Sequence, residues 1–280
     1  MPLADLGNPV AIARAVLQQL VQPVIPTPLD EIAVAVGITE ITDHESTAFE
    51  GALLTDSNKM SGAILCKKGT LKERRRFTIG HELGHYLNQW HVPSGGGFEC
   101  TKAQMLAANP KGATGRSKWE GEANEFAAEL LMPSSKFNAE VRKIRKLEIP
   151  AIARLAERYE VSKLACARRI VGLGQEDCAA ISSKDGRIEA IYRSEEFPFI
   201  PLRIGMELPT KCRSKTFQGE VGDVSALDDS EISLWSDRKL TGSQYFEQVL
   251  LQEGGWRLTL LICEREDEDD AESSQYSHRR

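Results

Sequence analysis

The most informative part of this sequence is the run His81-Glu82-Leu83-Gly84-His85. It lies inside a helical pattern covering residues 72–90. Histidines four apart on a helix differ by about 40° in projection, so both imidazoles can reach one ion. Glu82 falls at the edge of the same face, where a carboxylate can contact a metal-bound water. The chain has only 5 histidines, and two of them take this spacing, which favours a metal site over two incidental side chains.

A catalytic zinc site needs a third protein ligand and keeps its fourth position open for water. One candidate is His91, which stands ten residues after His81. That spacing belongs to a longer motif in which a glycine ends the helix at its eighth position. Asn88 occupies the position here. Because Asn is the best substitute for Gly in a left-handed conformation, His91 stays open as a ligand.

The favoured third ligand is Glu120, in a helix predicted for residues 117–131. Glu120 projects within about 20° of Ala127 and Leu131, on the apolar face of that helix. A carboxylate on a buried face needs a partner charge, which a metal ion supplies. Asn124, one turn further on, is placed to orient a ligand from behind. The other glutamates of the helix are predicted to form a solvated stripe: Glu122, Glu125 and Glu129.

Two imidazoles and one carboxylate suit Zn²⁺, with Mn²⁺ as the alternative ion. Such an ion lowers the pKa of its bound water to about 7 and polarises a carbonyl group. Glu82 is then placed to take the proton of that water as a general base. The predicted chemistry is metal-dependent hydrolysis of a peptide bond, with His81, His85 and Glu120 as ligands and Glu82 as the catalytic residue.

The remaining pattern predicts an α+β protein with four parts. They are a metallopeptidase domain (1–135), a helix-turn-helix-like segment (136–175), a β-rich domain of unknown role (176–265) and a disordered acidic tail (266–280). Helices are predicted at 9–21 and 28–36, and two more within 149–173, joined at residues 160–162. Strands are predicted at 51–54, 63–66, 187–192, 232–235, 248–252 and 256–262, and a long loop at 92–117.

Charge and cysteine usage narrow the setting in which the protein works. The net charge of -6 argues against a protein that coats nucleic acid by charge alone. The 6 cysteines are scattered, with no close pair typical of a metal or redox motif, so free thiols in a reducing cytoplasm are expected. No run approaches the roughly 18 apolar residues that span a bilayer. A cytoplasmic protein without a membrane partner is therefore predicted.

Two strings of this sequence resemble the ImmA/IrrE family of metallopeptidases. They are RRFTIGHELGH at 75–85 and EGEANEFAAELLMP at 120–133, within a likeness that extends over about residues 10–173. The second string makes the likeness specific, since many families share the first motif alone. The resemblance implies a gluzincin-like zinc peptidase core with Glu120 as third ligand. It also implies a site-specific protease that cleaves a helix-turn-helix repressor and so derepresses stress-response or mobile-element genes.

Two other classes of function are open at this point. The segment 149–173 carries Arg154, Arg158 and Arg168 and could bind DNA as a helix-turn-helix, although the acidic chain makes direct DNA binding the less favoured interpretation. The chain could also hold a partner without cutting it, as an antitoxin does. An intact Glu82 counts against both, because a purely structural zinc site has no use for a general base. In the peptidase interpretation, the sheet containing 51–54 and 63–66 could receive substrate as an added strand.

Overall fold

The computed structural model describes residues 6–20, 24–45, 47–93, 96–106 and 114–265. It divides into two compact units, one comprising Met1–Glu140 with Ala156–Ser162 and the other Val141–Leu155 with Lys163–Arg280. The division runs through the segment that the sequence assigned to a separate helical part. The predicted acidic tail, and residues 94–95 and 107–113 of the predicted loop, lie outside the described residues.

The first unit contains a mixed four-stranded sheet in the order β1-β3-β2-β4. Its strands are β1 (Ile38–His44), β2 (Gly51–Thr55), β3 (Gly62–Lys67) and β4 (Gly97–Cys100). β1 and β3 are parallel, whereas β2 is antiparallel to both of its neighbours. β3 alternates buried and half-buried side chains, the period-2 pattern of a strand with one face on the core.

Six helices of the described residues belong wholly or almost wholly to the first unit: α1 (Pro9–Gln18), α2 (Leu29–Ala35), α3 (Lys72–Leu87), α4 (Lys102–Leu106), α5 (Gly115–Leu131) and α6 (Ser134–Val141). A seventh helix, α7 (Ile149–Tyr159), has residues in both units. α3 and α5 pack closely because small residues face each other. A Cβ added at Gly84 would lie 3.1 Å from the Cα of Ala123, and one at Gly80 would lie 3.3 Å from the Cβ of Ala127. This close approach brings the predicted ligands of both helices together.

The second unit contains α8 (Lys163–Val171) and α9 (Arg213–Thr216) with an antiparallel sheet in the order β6-β5-β9-β8-β7. Its strands are β5 (Asp177–Lys184), β6 (Arg187–Arg193), β7 (Asp228–Asp229), β8 (Ser243–Leu251) and β9 (Trp256–Arg265). A core that includes Ile181, Phe197 and Trp235 packs against this sheet. The mixture of helices and two sheets confirms the predicted α+β class.

Two local predictions were wrong, and strands including β1 and β5 were not predicted. Residues 232–235 are not a strand, because Ile232–Leu234 forms a 3-10 helix that buries Ile232 and Trp235 together, three residues apart. The predicted loop 92–117 contains β4 and α4, and α5 begins at Gly115. β5 was missed because its sequence, DCAAISSK, has little of the β-branched and aromatic content that marks strands. No helix in the described ranges is long and apolar enough to cross a membrane.

Candidate metal centre

Helix α3 carries His81, Glu82 and His85, and all three side chains are fully buried. Helix α5 brings Glu120, which is 2% exposed, against them. The Oε2 atom of Glu120 lies 3.2 Å from Nε2 of His81 and 3.5 Å from Nε2 of His85, and the two Nε2 atoms are 3.1 Å apart. The structure thus brings together the three residues predicted as ligands.

Asn124 determines which nitrogen of His81 carries its proton. Its amide nitrogen donates to the backbone oxygen of Gln104 (3.1 Å), which leaves its Oδ1 atom as an acceptor facing Nδ1 of His81 (2.9 Å). We therefore assign the proton of His81 to Nδ1. The lone pair of Nε2 then points at the carboxylate of Glu120. Asn124 takes the orienting position predicted for it.

His91 determines the proton position of His85 in a similar way. Nε2 of His91 lies 2.9 Å from Oε2 of Glu122 and 3.1 Å from Nδ2 of Asn88. The carboxylate oxygen is the nearer partner and can only accept, so we assign a proton to Nε2. His91 consequently donates from Nε2 and accepts at Nδ1, which lies 3.0 Å from Nδ1 of His85. His85 donates through Nδ1, so its Nε2 lone pair also faces Glu120. Burial lowers the pKa of His85 to about 3 and that of His91 to about 4, which keeps both rings neutral near pH 7.

The carboxylate at the centre, Glu120, is buried but has a cationic partner. Arg116 supports the charge by donating from Nε to Oε1 at 3.2 Å. Two nitrogen lone pairs and a carboxylate oxygen therefore converge without a proton among them, an arrangement that is repulsive unless a cation lies between.

The spacing of these atoms fits a zinc ion. Zinc bonds of about 2.0–2.2 Å in tetrahedral geometry place ligand atoms about 3.3–3.5 Å apart. The observed separations of 3.1, 3.2 and 3.5 Å lie at or slightly below that range. The residues present thus suit a zinc-sized cation by donor type, protonation and distance.

Glu82 differs from Glu120 in having no cationic partner. Its Oε1 atom is buried and has no hydrogen-bond partner among the described residues, and its Oε2 atom lies 3.8 Å from Sγ of Cys100. Burial raises the pKa of Glu82 well above its usual value, with the charge of Glu120 adding to the effect. An unpartnered carboxylate oxygen beside three metal-type donors is suited to proton transfer at a bound water.

Several residues of the centre were missed in the sequence. Cys100 shares a cluster with His81, His85 and Glu120 whose candidate ligand atoms all lie within 4.8 Å of one another. Gln104 donates to Oε1 of Glu120 at 3.4 Å. Lys59 donates to the backbone oxygens of His85 (2.6 Å) and Asn88 (2.8 Å) and so closes the end of α3. The sequence pattern does not reveal these residues, because each one reaches the centre only through tertiary contacts.

The prediction of a solvated acidic stripe on α5 was wrong for two of its three members. Glu129 is 1% exposed and pairs with Arg14 at 3.0 Å. Glu122 is half-buried against His91. Only Glu125 is exposed. A helical projection shows which residues share a face but not which other elements cover it.

Comparison with known proteins shows which family this region of the chain is similar to. Residues 40–171 match the model of the Peptidase M78 family, described as the IrrE N-terminal-like domain. This match confirms the resemblance inferred from the strings at 75–85 and 120–133, although it begins later than residue 10. A search of curated proteins found no significant match.

Among solved structures, the chain is similar to a Mycobacterium tuberculosis transcriptional regulator. The TM-score is 0.59 and the identity 14%, over 91% of this chain and 75% of that one. At this identity the likeness concerns the fold alone.

Proposed function

We propose that this chain, whose residues 40–171 match the IrrE N-terminal-like domain of the Peptidase M78 family, is a zinc-dependent endopeptidase. His81, His85 and Glu120 are the proposed metal ligands, and Glu82 is the proposed general base. The observation that carries the proposal is the convergence of three proton-free donor atoms beside a buried carboxylate oxygen without a partner.

In the proposed mechanism, the carboxylates of Glu82 and Glu120 have different roles. A bound zinc ion would supply an acidified water and a polarised carbonyl group. Glu82 would accept a proton from that water at Oε1 and later pass it to the leaving amine. Asn124 and His91 hold the two imidazoles through their Nδ1 atoms, so both Nε2 lone pairs would be available to the ion. Glu120 would supply a negative charge to balance the cation.

The geometry supports Glu120 over His91 as third ligand. His91 contacts the Nδ1 side of His85, which faces away from the point where the two Nε2 atoms meet. Its own Nε2 is engaged with Glu122 at 2.9 Å. His91 could bind the same ion only after both contacts were broken, whereas Oε2 of Glu120 lies 3.2 and 3.5 Å from the two Nε2 atoms.

For the substrate, we propose a helix-turn-helix transcriptional repressor cleaved at a single site in the cytoplasm, with derepression of stress-response or mobile-element genes as the result. The support is the family of residues 40–171 and the implication of the ImmA/IrrE resemblance. The name of the mycobacterial neighbour, a transcriptional regulator, agrees with a role in transcription.

The test compares the wild-type protein with Glu82→Gln on two substrates, casein and a repressor encoded beside the gene. We expect the wild type to cut the repressor once and to leave casein largely intact. Glu82→Gln should bind zinc normally and lose cleavage by roughly 100-fold or more, as expected for a removed general base. Near-normal cleavage by the fully metallated variant would refute the assignment of Glu82. Broad digestion of casein would replace the regulatory protease with a general peptidase.

A further inference from the structure

The side chains of the metal centre are closed off from solvent by a segment of the chain itself. His81, Glu82 and His85 are 0% exposed and Glu120 is 2% exposed, so no peptide can reach them in this conformation. The covering segment, Gly97–Leu106, consists of β4 and α4. Phe98 stacks on the His85 ring with centroids 4.5 Å apart, and Gln104 reaches Glu120.

β4 occupies the sheet edge that passes closest to the general base. It pairs with β2, and without β4 the outer edge of β2 would be unpaired. A Cβ built on Gly51 of β2 would lie 2.7 Å from Oε1 of Glu82. An extended peptide added to β2 would therefore run beside the metal centre, in the manner of strand addition to a sheet edge. β4 holds that place with antiparallel pairs from Gly51–Cys100 to Leu54–Gly97.

β4 ends in a side chain that can bind the metal. Cys100 is 0% exposed, and its Sγ atom lies 3.8 Å from Glu82 Oε2 and 4.0 Å from Glu120 Oε1. All four candidate ligand atoms, from His81, His85, Glu120 and Cys100, lie within 4.8 Å of one another. A zinc–sulfur bond of about 2.3 Å would place sulfur about 3.6 Å from the nitrogens. The sulfur lies within 4.8 Å of both nitrogens in this conformation, close to that bonded separation.

We propose that Gly97–Leu106 is a built-in inhibitor in which β4 takes the place of a substrate strand and Cys100 binds the metal as fourth ligand. This inference rests on the proposed peptidase function. The thiol loses its proton on binding, and Oε2 of Glu82 is its nearest carboxylate acceptor. In this latent form, Cys100 fills the open coordination position. Glu82 holds the proton of the thiol and therefore cannot accept one from water. Activation requires β4 to leave β2. We expect the repressor to displace β4, so the wild-type chain can cut the repressor while it stays closed to other peptides.

The test uses cobalt in place of zinc, because a thiolate ligand gives Co²⁺ a sulfur-to-metal charge-transfer band. We expect that band in the cobalt-loaded wild-type chain and its loss in Cys100→Ser, which should still bind cobalt through the other three ligands. Cys178→Ser is the matched control, since Cys178 is an equally buried strand cysteine in β5. It should keep the band.

A second variant moves the strand without touching any ligand. A Cβ at Gly97 would lie 1.9 Å from the backbone oxygen of Leu53, so Gly97→Val should prevent β4 from pairing with β2. We expect this variant to bind cobalt without the sulfur band and to hydrolyse a mixed fluorogenic peptide pool faster than the wild type. Alkylation of Cys100 should be at least about tenfold faster, which corresponds to about 1.4 kcal/mol of lost protection.

The outcomes separate this inference from the proposed function. Cobalt binding to the wild type without a sulfur band would overturn the inhibitor role of Cys100 and leave the peptidase site standing. Loss of the band in Gly97→Val without faster hydrolysis would overturn inhibition by the strand. Failure of the wild-type chain to bind cobalt at all would overturn the metal site and both proposals with it.

Discussion

Separate replacement of Glu120 and His91 should show which residue binds the metal and which one orients a metal ligand. Four-ligand zinc sites bind with roughly 10–16 kcal/mol, so each ligand contributes about 3 kcal/mol. Glu120→Ala removes an oxygen that lies 3.2 and 3.5 Å from the two Nε2 atoms. The zinc dissociation constant should rise by roughly 100-fold.

His91→Ala removes only the partner of His85 Nδ1. Outer partners of metal-bound histidines contribute about tenfold to metal affinity, at the lower end of their usual range. The loss should therefore be about ten times smaller than that of Glu120→Ala. Glu125→Ala is the matched control, because Glu125 is an exposed glutamate of the same helix. It should leave zinc affinity unchanged.

The assay is competition for zinc with a chromophoric chelator near neutral pH, using metal-free protein. All variants should be made in the Cys100→Ser background, because the thiol lies within the same cluster and could replace a lost carboxylate. Circular dichroism of the metal-free proteins checks that each variant is folded. A larger loss of affinity in His91→Ala than in Glu120→Ala would refute the ligand assignment.

Two further variants test how the centre is supported. Asn124→Leu should weaken zinc binding about tenfold, because it removes the acceptor of His81 Nδ1. The far-ultraviolet circular dichroism spectrum should not change. Unchanged zinc affinity would contradict the orienting role of Asn124. Gly84→Val should lower the free energy of urea unfolding by about 1–3 kcal/mol, since its Cβ would lie 3.1 Å from Ala123 Cα and force α3 from α5. An unchanged urea midpoint would show that the two helices separate without cost.

The part of the site that the sequence predicted is the part specified by helical periodicity. The two histidines and Glu82 share a face of α3 by spacing alone, and Glu120 stands out because a carboxylate projects onto an apolar face of α5. The structure brings these four residues together. Joining two helices also requires close packing, and glycines and alanines at Gly80, Gly84, Ala123 and Ala127 allow it.

The part that could not be predicted depends on pairing between distant residues. β4 is four residues long and follows a glycine-rich run, so its own sequence predicts a loop. It becomes a strand only because β2 offers an unpaired edge, and Gly97 permits the close approach to Leu53. For the same reason Cys100 looked like an incidental buried thiol until its partner strand placed it beside the ligands.

The two carboxylates of the centre differ in their partners, and this difference links inhibition to catalysis. Glu120 is paired with Arg116 at 3.2 Å, whereas Oε1 of Glu82 has no hydrogen-bond partner among the described residues and Oε2 lies 3.8 Å from Sγ of Cys100. A buried carboxylate oxygen without a partner lacks the hydrogen bonds that water would supply. Departure of β4 would remove the thiol from Glu82 and admit water to it. The same movement would therefore open the metal ligands to substrate and bring the general base into contact with the water from which it takes a proton.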